Sequence, residues 1–129
     1  MREPLGIVGL GLLGGAIAER LDAAGHELFG FDPRPPETTS VSLCSDAGQV
    51  FAKCSKVFFS LPTSRVAAEV ADEVMATIRP GQVILDTTTG APDEAAALAE
   101  RLKTRGAHYL ETNVAGSSVL LREGKAVLF

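Results

Sequence analysis

The sequence predicts an α/β fold: a single domain built on a doubly wound parallel sheet. Two observations support this prediction. Short apolar runs of strand length alternate along the chain with apolar stripes of helical period, a pattern typical of parallel sheets with crossover helices. The chain has 129 residues and 46% hydrophobic content, which is enough for one core and ordinary for a folded domain.

A glycine-rich turn separates the first predicted strand from the first predicted helix. The apolar run Leu5–Val8 ends at a glycine, and from Leu13 the apolar residues recur with helical spacing. Gly25 is predicted to end this helix, because glycine is favoured just past a helix C-terminus. Residues 27–31 form the second predicted strand, which closes a βαβ unit at Asp32.

The same alternation continues after one irregular stretch. Residues 33–44 are rich in proline, threonine and serine and are predicted to be a loop, followed by a weak helix at 47–54. The elements expected after that are strand 57–61, a helix from Pro62 to Pro80, strand 82–86, a helix from Pro92 to Gly106, strand 107–110 and a final strand 125–129. A strand at the very end favours the hypothesis that residues 1–129 are a domain cut off before a second, helical domain.

Composition excludes several classes of partner and site. The net charge is −4 and the charges of both signs are interspersed, so no basic surface for nucleic acid is expected. Cys44 and Cys54 lie in no motif with metal-ligand spacing, so no metal site is expected. We interpret both cysteines as free thiols of a reducing compartment, the cytoplasm.

The N-terminus has an alternative interpretation as a secretory signal. Arg2 precedes an apolar run at residues 5–18, and Ala16-Ile17-Ala18 resembles a signal-peptidase site. Against this, the run contains five glycines, its charged flank is neutralised by Glu3, and it is too short to cross a bilayer. No association with a membrane is therefore expected.

The turn after the first strand has the sequence Gly9-Leu10-Gly11-Leu12-Leu13-Gly14, a GxGxxG motif. In this motif Gly9 allows a tight turn, Gly11 allows a phosphate to approach the backbone closely, and Gly14 allows the helix to pack against the strand. Since the motif follows a strand and opens a helix, free N–H groups and the positive helix end would face a pyrophosphate. All six residues are candidate dinucleotide contacts. The alternatives are glycines that serve packing only, or a methyltransferase-like site for another nucleoside.

Asp32 ends the second predicted strand, where a carboxylate can bind the hydroxyls of the adenine ribose. A negative charge here repels a 2′-phosphate, so NAD is favoured over NADP as the cofactor. Arg34 is a second candidate contact, and because it could pair with a 2′-phosphate, NADP stays possible. The alternative role for Asp32 is to initiate the turn at Pro33.

Several segments together resemble the β-hydroxyacid dehydrogenase family, which includes 3-hydroxyisobutyrate and 6-phosphogluconate dehydrogenases. The resemblance covers essentially the whole chain. Residues 7–14 are similar to the family's opening fingerprint, and Gly25-His26 matches the pair after its first helix. Leu61-Pro62 is similar to the family's segment beside the cofactor. Residues 86–89 with Pro92 resemble its Asp-x-Ser-Thr-x-x-Pro, and residues 111–117 align with its substrate loop, Asp-Ala-Pro-Val-Ser-Gly-Gly.

The resemblance implies specific contacts in the second half of the site. Leu61, Pro62 and Thr89 would contact the cofactor, with Thr89 at its nicotinamide half. The substrate loop departs from the family, with Asn113 for proline, Ala115 for the serine that binds substrate, and Ser117 for a glycine. Because alanine cannot donate the hydrogen bond, Ser117 and Ser118 are the candidate catalytic residues of this loop.

The resemblance also implies hydride transfer between a nicotinamide and a small hydroxy acid or the corresponding aldehyde. In the family a lysine of the second domain transfers the proton, and that domain also builds the homo-oligomer. None of the lysines here matches it: Lys53, Lys56, Lys103 and Lys125. We therefore expect an oxidoreductase domain that binds cofactor but is inactive by itself. The alternative is a non-catalytic module that senses NAD.

Overall fold

A computed structural model describes residues 3–37, 39–88 and 92–112, together with the backbone of 114–115 and 127–128. In chain order the strands are β1 Leu5–Val8, β2 Leu28–Phe31, β3 Ser42–Leu43, β4 Lys56–Phe59, β5 Val83–Asp86, β6 His108–Glu111, β7 Val114–Ala115 and β8 Val127–Leu128. The helices are α1 Leu12–Ala23, α2 Ala47–Lys53, α3 Ser64–Val74 and α4 Pro92–Lys103.

The predicted α/β fold with a doubly wound parallel sheet is confirmed. Six strands pair in the order β3-β2-β1-β4-β5-β6, and each neighbouring pair is parallel. From β1 the successive strands β2 and β3 are added on one side of the sheet, and from β4 the strands β5 and β6 are added on the other. Between these two strands the order reverses, and open α/β sheets bind their ligands in the crevice at such a point.

The stretch predicted to be a loop, residues 33–44, contains a strand that the sequence did not reveal. Ser42 and Leu43 form β3, which pairs with Phe29 and Gly30 of β2. Both strand residues are exposed, so they carry no alternation between buried and exposed positions. The neighbouring Val41 is buried and fixes the strand beside Gly30, where an added Cβ would lie 2.7 Å from a Val41 methyl.

The last predicted strand, 125–129, is observed at Val127–Leu128, and it does not join the parallel sheet. It pairs antiparallel with Val114–Ala115, two residues that the sequence placed in a loop. The sequence around β7 offers too short an apolar run to predict a strand. The two-residue segment is defined by its backbone pairing with β8, which lies far away along the chain.

Glycines end α1 and α4 as the sequence predicts. Gly25 and Gly106 adopt the left-handed conformation, with φ of +90° and +75°. After α1, the Gly25 and His26 N–H groups donate to the carbonyls of Asp22 and Leu21, the paired bonds of a Schellman motif. The equivalent pair follows α4. Of the described helices, none is long and apolar enough to cross a membrane.

Two apolar clusters lie on opposite faces of the sheet. One packs α1 against β1 and β2 through residues such as Ile7, Ile17 and Leu28. The larger cluster packs α2, α3 and α4 on the other face and includes Phe51 and Phe59, whose rings meet edge to face. Adjacent residues of β1, Ile7 and Val8, belong to different clusters, as expected for a strand buried on both faces.

Gln82 is a buried polar residue that joins α2 to the start of β5. Its side chain is 2% exposed, and its amide nitrogen donates to the carbonyls of Phe51 (2.8 Å) and Cys54 (2.9 Å). Its amide oxygen accepts from the Arg79 N–H at 2.7 Å. These carbonyls lie at the C-terminal end of α2, where helical carbonyls have no partner within the helix. Gln82 therefore satisfies groups that would otherwise be buried without hydrogen bonds.

Replacement of this amide is expected to destabilise the domain. Gln82→Leu fills a similar volume with an apolar side chain. It leaves two carbonyls and one N–H without their partner, which costs about 3 kcal/mol of unfolding free energy. Urea unfolding followed by circular dichroism measures this loss. Gln49→Leu, at an exposed position where the amide oxygen accepts from the Ser45 N–H, is the control and should cost less than about 1 kcal/mol. Equal losses in the two variants would contradict the role given to Gln82.

Candidate functional site

The turn after β1 brings three backbone segments together with no side chain between them. Gly9 has φ of +99°, and a Cβ built on it would lie 2.0 Å from the Ser60 carbonyl oxygen. A Cβ on Gly14 would lie 2.0 Å from the carbonyl oxygen of Gly9. Only glycine fits at either position: Gly9 because of the turn conformation and the nearby Ser60 carbonyl, and Gly14 because α1 packs against the Gly9 carbonyl.

Gly11 differs from the other two glycines of the motif. Its φ of −73° is open to any residue, and a Cβ on it would meet nothing within 4 Å. The folding of the domain therefore gives no reason for a glycine here. Close approach of a ligand to the backbone does give a reason, because a side chain would occupy the space that the ligand needs.

Gly11 is also the N-cap of α1, and no side chain caps that helix. The other two helices whose N-caps the structure describes are capped: Asp46 accepts from the Gln49 N–H in α2, and Thr63 accepts from the Val66 N–H in α3. The first N–H groups of α1 have no partner within the helix. They point, with the positive end of the helix dipole, to the space above Gly11, an arrangement that suits a phosphate.

Asp32 lies immediately after β2 and is bound to the glycine turn. One carboxylate oxygen accepts from the Leu10 N–H at 2.7 Å, and the other accepts from the Arg34 N–H at 2.8 Å. The second bond is the local turn that the sequence offered as an alternative, and the first bond spans from β2 to the turn after β1. Each oxygen keeps a second lone pair for a further donor. Asp32 is thus both a turn residue and a free acceptor at the cleft.

These residues line a cleft of about 700 Å³, a volume typical of cofactor and substrate sites. The cleft lies at the carboxyl ends of the strands where the strand order reverses. The predicted residues that line it are Gly9, Gly11, Leu12, Leu13, Gly14, Asp32, Arg34, Leu61 and Pro62.

One wall of the cleft was not predicted from the sequence. Val66 and Val70 of α3 line it, together with Glu69 and Glu73. Both valines belong to the apolar stripe of this helix, and the stripe gave no sign that its edge faces a cleft rather than the core. In the structure both valines are half-buried, whereas Ala71 on the same helix is fully buried. The apolar edge of α3 is suited to cover one face of a flat ring.

The far side of the cleft is formed by the ends of β4 and β5. Leu61 lines it, and its N–H donates to the Thr88 hydroxyl at 3.1 Å. Thr87 also lines it and is held by two bonds to the Phe59 carbonyl, one from its N–H and one from its hydroxyl, each 2.8 Å long. Ser60, which the sequence did not single out, directly follows β4, donates its N–H to the Val8 carbonyl of β1 at 2.9 Å, and lines the cleft.

One predicted site residue, Leu10, does not line this cleft, and three others lie outside the described residues. The Leu10 side chain is buried in the core against α1, and its N–H is occupied by Asp32. Thr89, Ser117 and Ser118 lie outside the described residues, as does Lys125. None of the other three lysines lines the cleft, and Lys53 lies over the Phe29 ring, 5.1 Å from its centre. Among the described residues, no three histidine, cysteine or acidic side chains are grouped to hold a metal.

The strand order, the glycine turn and the acceptor at the end of β2 together define a dinucleotide-binding Rossmann domain. Comparison with known families makes the assignment specific. Residues 4–129 match the model described as the NAD binding domain of 6-phosphogluconate dehydrogenase. The chain belongs to this family and is an NAD-binding domain.

Individual relatives agree with the assignment. Mouse mitochondrial 3-hydroxyisobutyrate dehydrogenase is 26% identical over 95% of this chain, which matches 39% of that protein. The chain thus spans about two-fifths of the length of such relatives. Mouse cytokine-like nuclear factor N-PAC is 28% identical over 98% of the chain and is matched over 23% of its own length. A structure of Mycobacterium tuberculosis 3-hydroxyisobutyrate dehydrogenase with L-serine superposes with a TM-score of 0.92 at 25% identity, covering 99% of this chain and 46% of that one.

The two kinds of glycine in the motif are expected to respond differently to the same substitution. Gly14→Ala adds a methyl group against the Gly9 carbonyl and should cost about 3 kcal/mol, although alanine is the better helix former. Gly11→Ala places the methyl group in open space. The expected cost is then only that of alanine being a poorer N-cap than glycine, about 1 kcal/mol of unfolding free energy. Urea unfolding of the two variants compares them. Equal losses would show that Gly11 is also required for packing.

Proposed function

We propose that this chain is the cofactor-binding part of an NAD-dependent oxidoreductase that acts on a small hydroxy acid or the corresponding aldehyde. One observation carries the proposal. The uncapped N-terminus of α1 and the open space above Gly11 lie in one cleft with the Asp32 carboxylate, at the point where the strand order reverses. The membership of the chain in a family of NAD-binding domains agrees with it.

In this proposal the adenosine half of the dinucleotide lies over β2. The N–H groups of Leu12, Leu13 and Gly14 bind the pyrophosphate, which can approach because Gly11 has no side chain. The adenine ribose hydroxyls donate to the lone pairs that Asp32 keeps free. Adenine lies between Arg34 and the valine edge of α3, which supplies an apolar wall.

Charge at the cleft supports NAD over NADP. A 2′-phosphate about 5 Å from Asp32 would be repelled by about 3 kcal/mol per unit charge at an effective dielectric constant near 20. Glu69 and Glu73 line the same cleft and add negative charge, although Glu69 is paired with Arg65 at 3.5 Å on the exposed surface. Arg34 is the cation on the cleft wall and is the residue through which NADP could still be accepted.

The nicotinamide half lies over β4 and β5 in this proposal. Leu61, Pro62 and Thr89 contact it, and the bound cofactor supplies the hydride chemistry. Substrate lies beside it, with a hydroxyl of Ser117 or Ser118 donating the hydrogen bond that Ala115 cannot provide. The assignment of the last three contacts rests on the family resemblance of the sequence segments that contain them.

The reaction also needs a group that takes the proton of the substrate hydroxyl, with a pKa suited to that task. No lysine among residues 3–112 that the structure describes lines the cleft. We therefore expect residues 1–129 to bind NADH but to show no turnover with 3-hydroxyisobutyrate and NAD in an absorbance assay. Turnover by this chain alone would contradict the proposed need for a further domain.

A second candidate function is a non-catalytic domain that binds NAD and reports on redox state to a partner. The likeness to a protein named as a nuclear factor, at an identity similar to that of the dehydrogenase, supports it. The two candidates differ in the full-length protein. Oxidation of a hydroxy acid by the full-length protein would support the enzyme, and NAD binding without turnover would support the sensor.

The two cysteines support placement of the protein in the cytoplasm, a reducing compartment. Cys54 is fully buried and Cys44 half-buried, and both are free thiols. Burial raises the pKa of the Cys54 thiol to about 11, so it is protonated and unreactive at neutral pH. For the full-length protein we propose a homo-oligomer, as the family resemblance implies.

Titration calorimetry with NADH and NADPH tests the cofactor site directly. We expect the chain to bind NADH more tightly than NADPH, and Gly11→Ala to weaken NADH binding by at least about tenfold, because its methyl group occupies the phosphate position. The stability of Gly11→Ala is measured in parallel, so that lost binding is not confused with unfolding. Binding of neither nucleotide, in a folded chain, would overturn the proposal.

The charge of Asp32 is tested with Asp32→Asn. The amide oxygen keeps one acceptor for the turn, while the negative charge that repels a 2′-phosphate is removed. We expect the preference for NADH over NADPH to fall by at least about tenfold, less at high salt because exposed charges are screened. An unchanged ratio of the two dissociation constants would mean that Asp32 does not determine the choice of cofactor.

A further inference from the structure

A buried carboxylate lies next to the cleft without lining it. Asp86 ends β5 and is 5% exposed. One of its oxygens accepts from the Thr88 N–H at 2.8 Å, and the other accepts from the hydroxyl of Tyr109 on β6 at 2.5 Å. Hydrogen bonds to an ionised acceptor in a buried site are the stronger kind, and a buried carboxylate that loses one is left with an unsatisfied oxygen.

Asp86 fixes Thr88, and Thr87 and Thr88 in turn hold the end of β4. The Thr88 hydroxyl, positioned by the bond from its own N–H to Asp86, accepts from the Leu61 N–H at 3.1 Å. Thr87 is bonded twice to the Phe59 carbonyl. A continuous chain of hydrogen bonds therefore runs from Tyr109 through Asp86 and Thr88 to Leu61, and Leu61 lines the cleft.

Tyr109 is the donor at the far end of this chain. It is half-buried and packs against the larger apolar cluster. Burial, together with the hydrogen bond to Asp86, raises the pKa of Tyr109 far above its ordinary value. The phenol therefore stays protonated and can donate at neutral pH. Phenylalanine at this position would preserve the packing and remove only the donor.

The chain of hydrogen bonds affects only one half of the cleft. Asp32 follows β2, on one side of the point where the strand order reverses, and Leu61 and Thr87 follow β4 and β5 on the other side. In the function proposed above, the adenosine half lies over β2 and the nicotinamide half lies over β4 and β5. A disturbance that begins at Tyr109 would reach the nicotinamide half and leave the adenosine half unchanged.

We propose that Tyr109 is a positioning residue: through Asp86 and Thr88 it holds the segment at Leu61 in the conformation that receives the nicotinamide half of the dinucleotide. This proposal rests on the proposed function of the cleft. It adds a determinant of cofactor geometry on β6, a strand that does not line the cleft. Tyr109 itself does not line the cleft.

The test compares NADH with ADP-ribose, which shares the adenosine half and lacks the nicotinamide. Calorimetry gives both dissociation constants, and the fluorescence of bound NADH reports on the nicotinamide ring. For Tyr109→Phe we expect NADH binding to weaken about fivefold, within the range by which residues of such networks change binding. ADP-ribose binding stays within about twofold of the parent. The fluorescence of bound NADH should also shift toward that of free NADH.

A second pair of variants, at Thr88, tests the same proposal if Tyr109→Phe folds poorly. Thr88→Ala removes the acceptor for the Leu61 N–H and should cause the same selective loss, whereas Thr88→Ser keeps the hydroxyl and should bind NADH like the parent. The double variant Tyr109→Phe/Thr88→Ala should lose no more than the larger single loss, because both changes act on one segment. Thr104→Val, which removes an exposed hydroxyl at the end of α4, is the control and should change neither constant.

The outcomes separate this inference from the proposed function. A parent chain that binds neither ligand would overturn the proposed function. A parent that binds both ligands equally well, or Tyr109→Phe that weakens both in parallel or neither, would overturn the positioning role of Tyr109 and leave the cofactor site in place. Selective loss of NADH binding with unchanged ADP-ribose binding supports the positioning role.

Discussion

The close approach of three backbones at the end of β1 is the constraint on which the rest of the site depends. The Gly9 carbonyl lies against Gly14, and the Ser60 carbonyl lies against Gly9, so α1, the turn and the end of β4 have no room for a side chain between them. This packing brings the N-terminus of α1 to the point where the sheet reverses its strand order. The free N–H groups of the helix, the end of β2 and the end of β4 then share one cleft.

Asp32 links this packing to ligand chemistry. The sequence offers two roles for this carboxylate, to begin the turn at Pro33 or to bind a ribose. Here one oxygen makes the local turn bond to Arg34, and the other reaches the N–H of Leu10 in the glycine turn. The same bonds that hold the two loops together leave each oxygen a second lone pair, and in the proposed function these lone pairs accept from the ribose hydroxyls.

The sequence predicted an element correctly where a single residue type is required by local backbone conformation. Gly25 and Gly106 end helices because each takes a left-handed conformation that other residues avoid, and the glycine motif marks the start of α1. The sequence did not predict elements that are defined by pairing between segments far apart along the chain. Strand β3 is two exposed residues beside β2, and β7 exists through its pairing with β8, so neither has a periodic pattern of its own. The valine edge of α3 looked like core because burial in a cleft and burial in a core select the same side chains.

The sequence by itself determined the parallel α/β architecture, the position of the glycine turn and the acidic residue at the end of β2, because each follows from local conformational preference or from the alternation of apolar residues. Only the tertiary structure decided that Gly11 faces open space while its neighbours in the motif face backbone, that α3 forms a wall of the cleft, and that Tyr109 reaches Asp86. These are relations between residues distant along the chain, and they arise when the crossover helices and neighbouring strands bring those residues together.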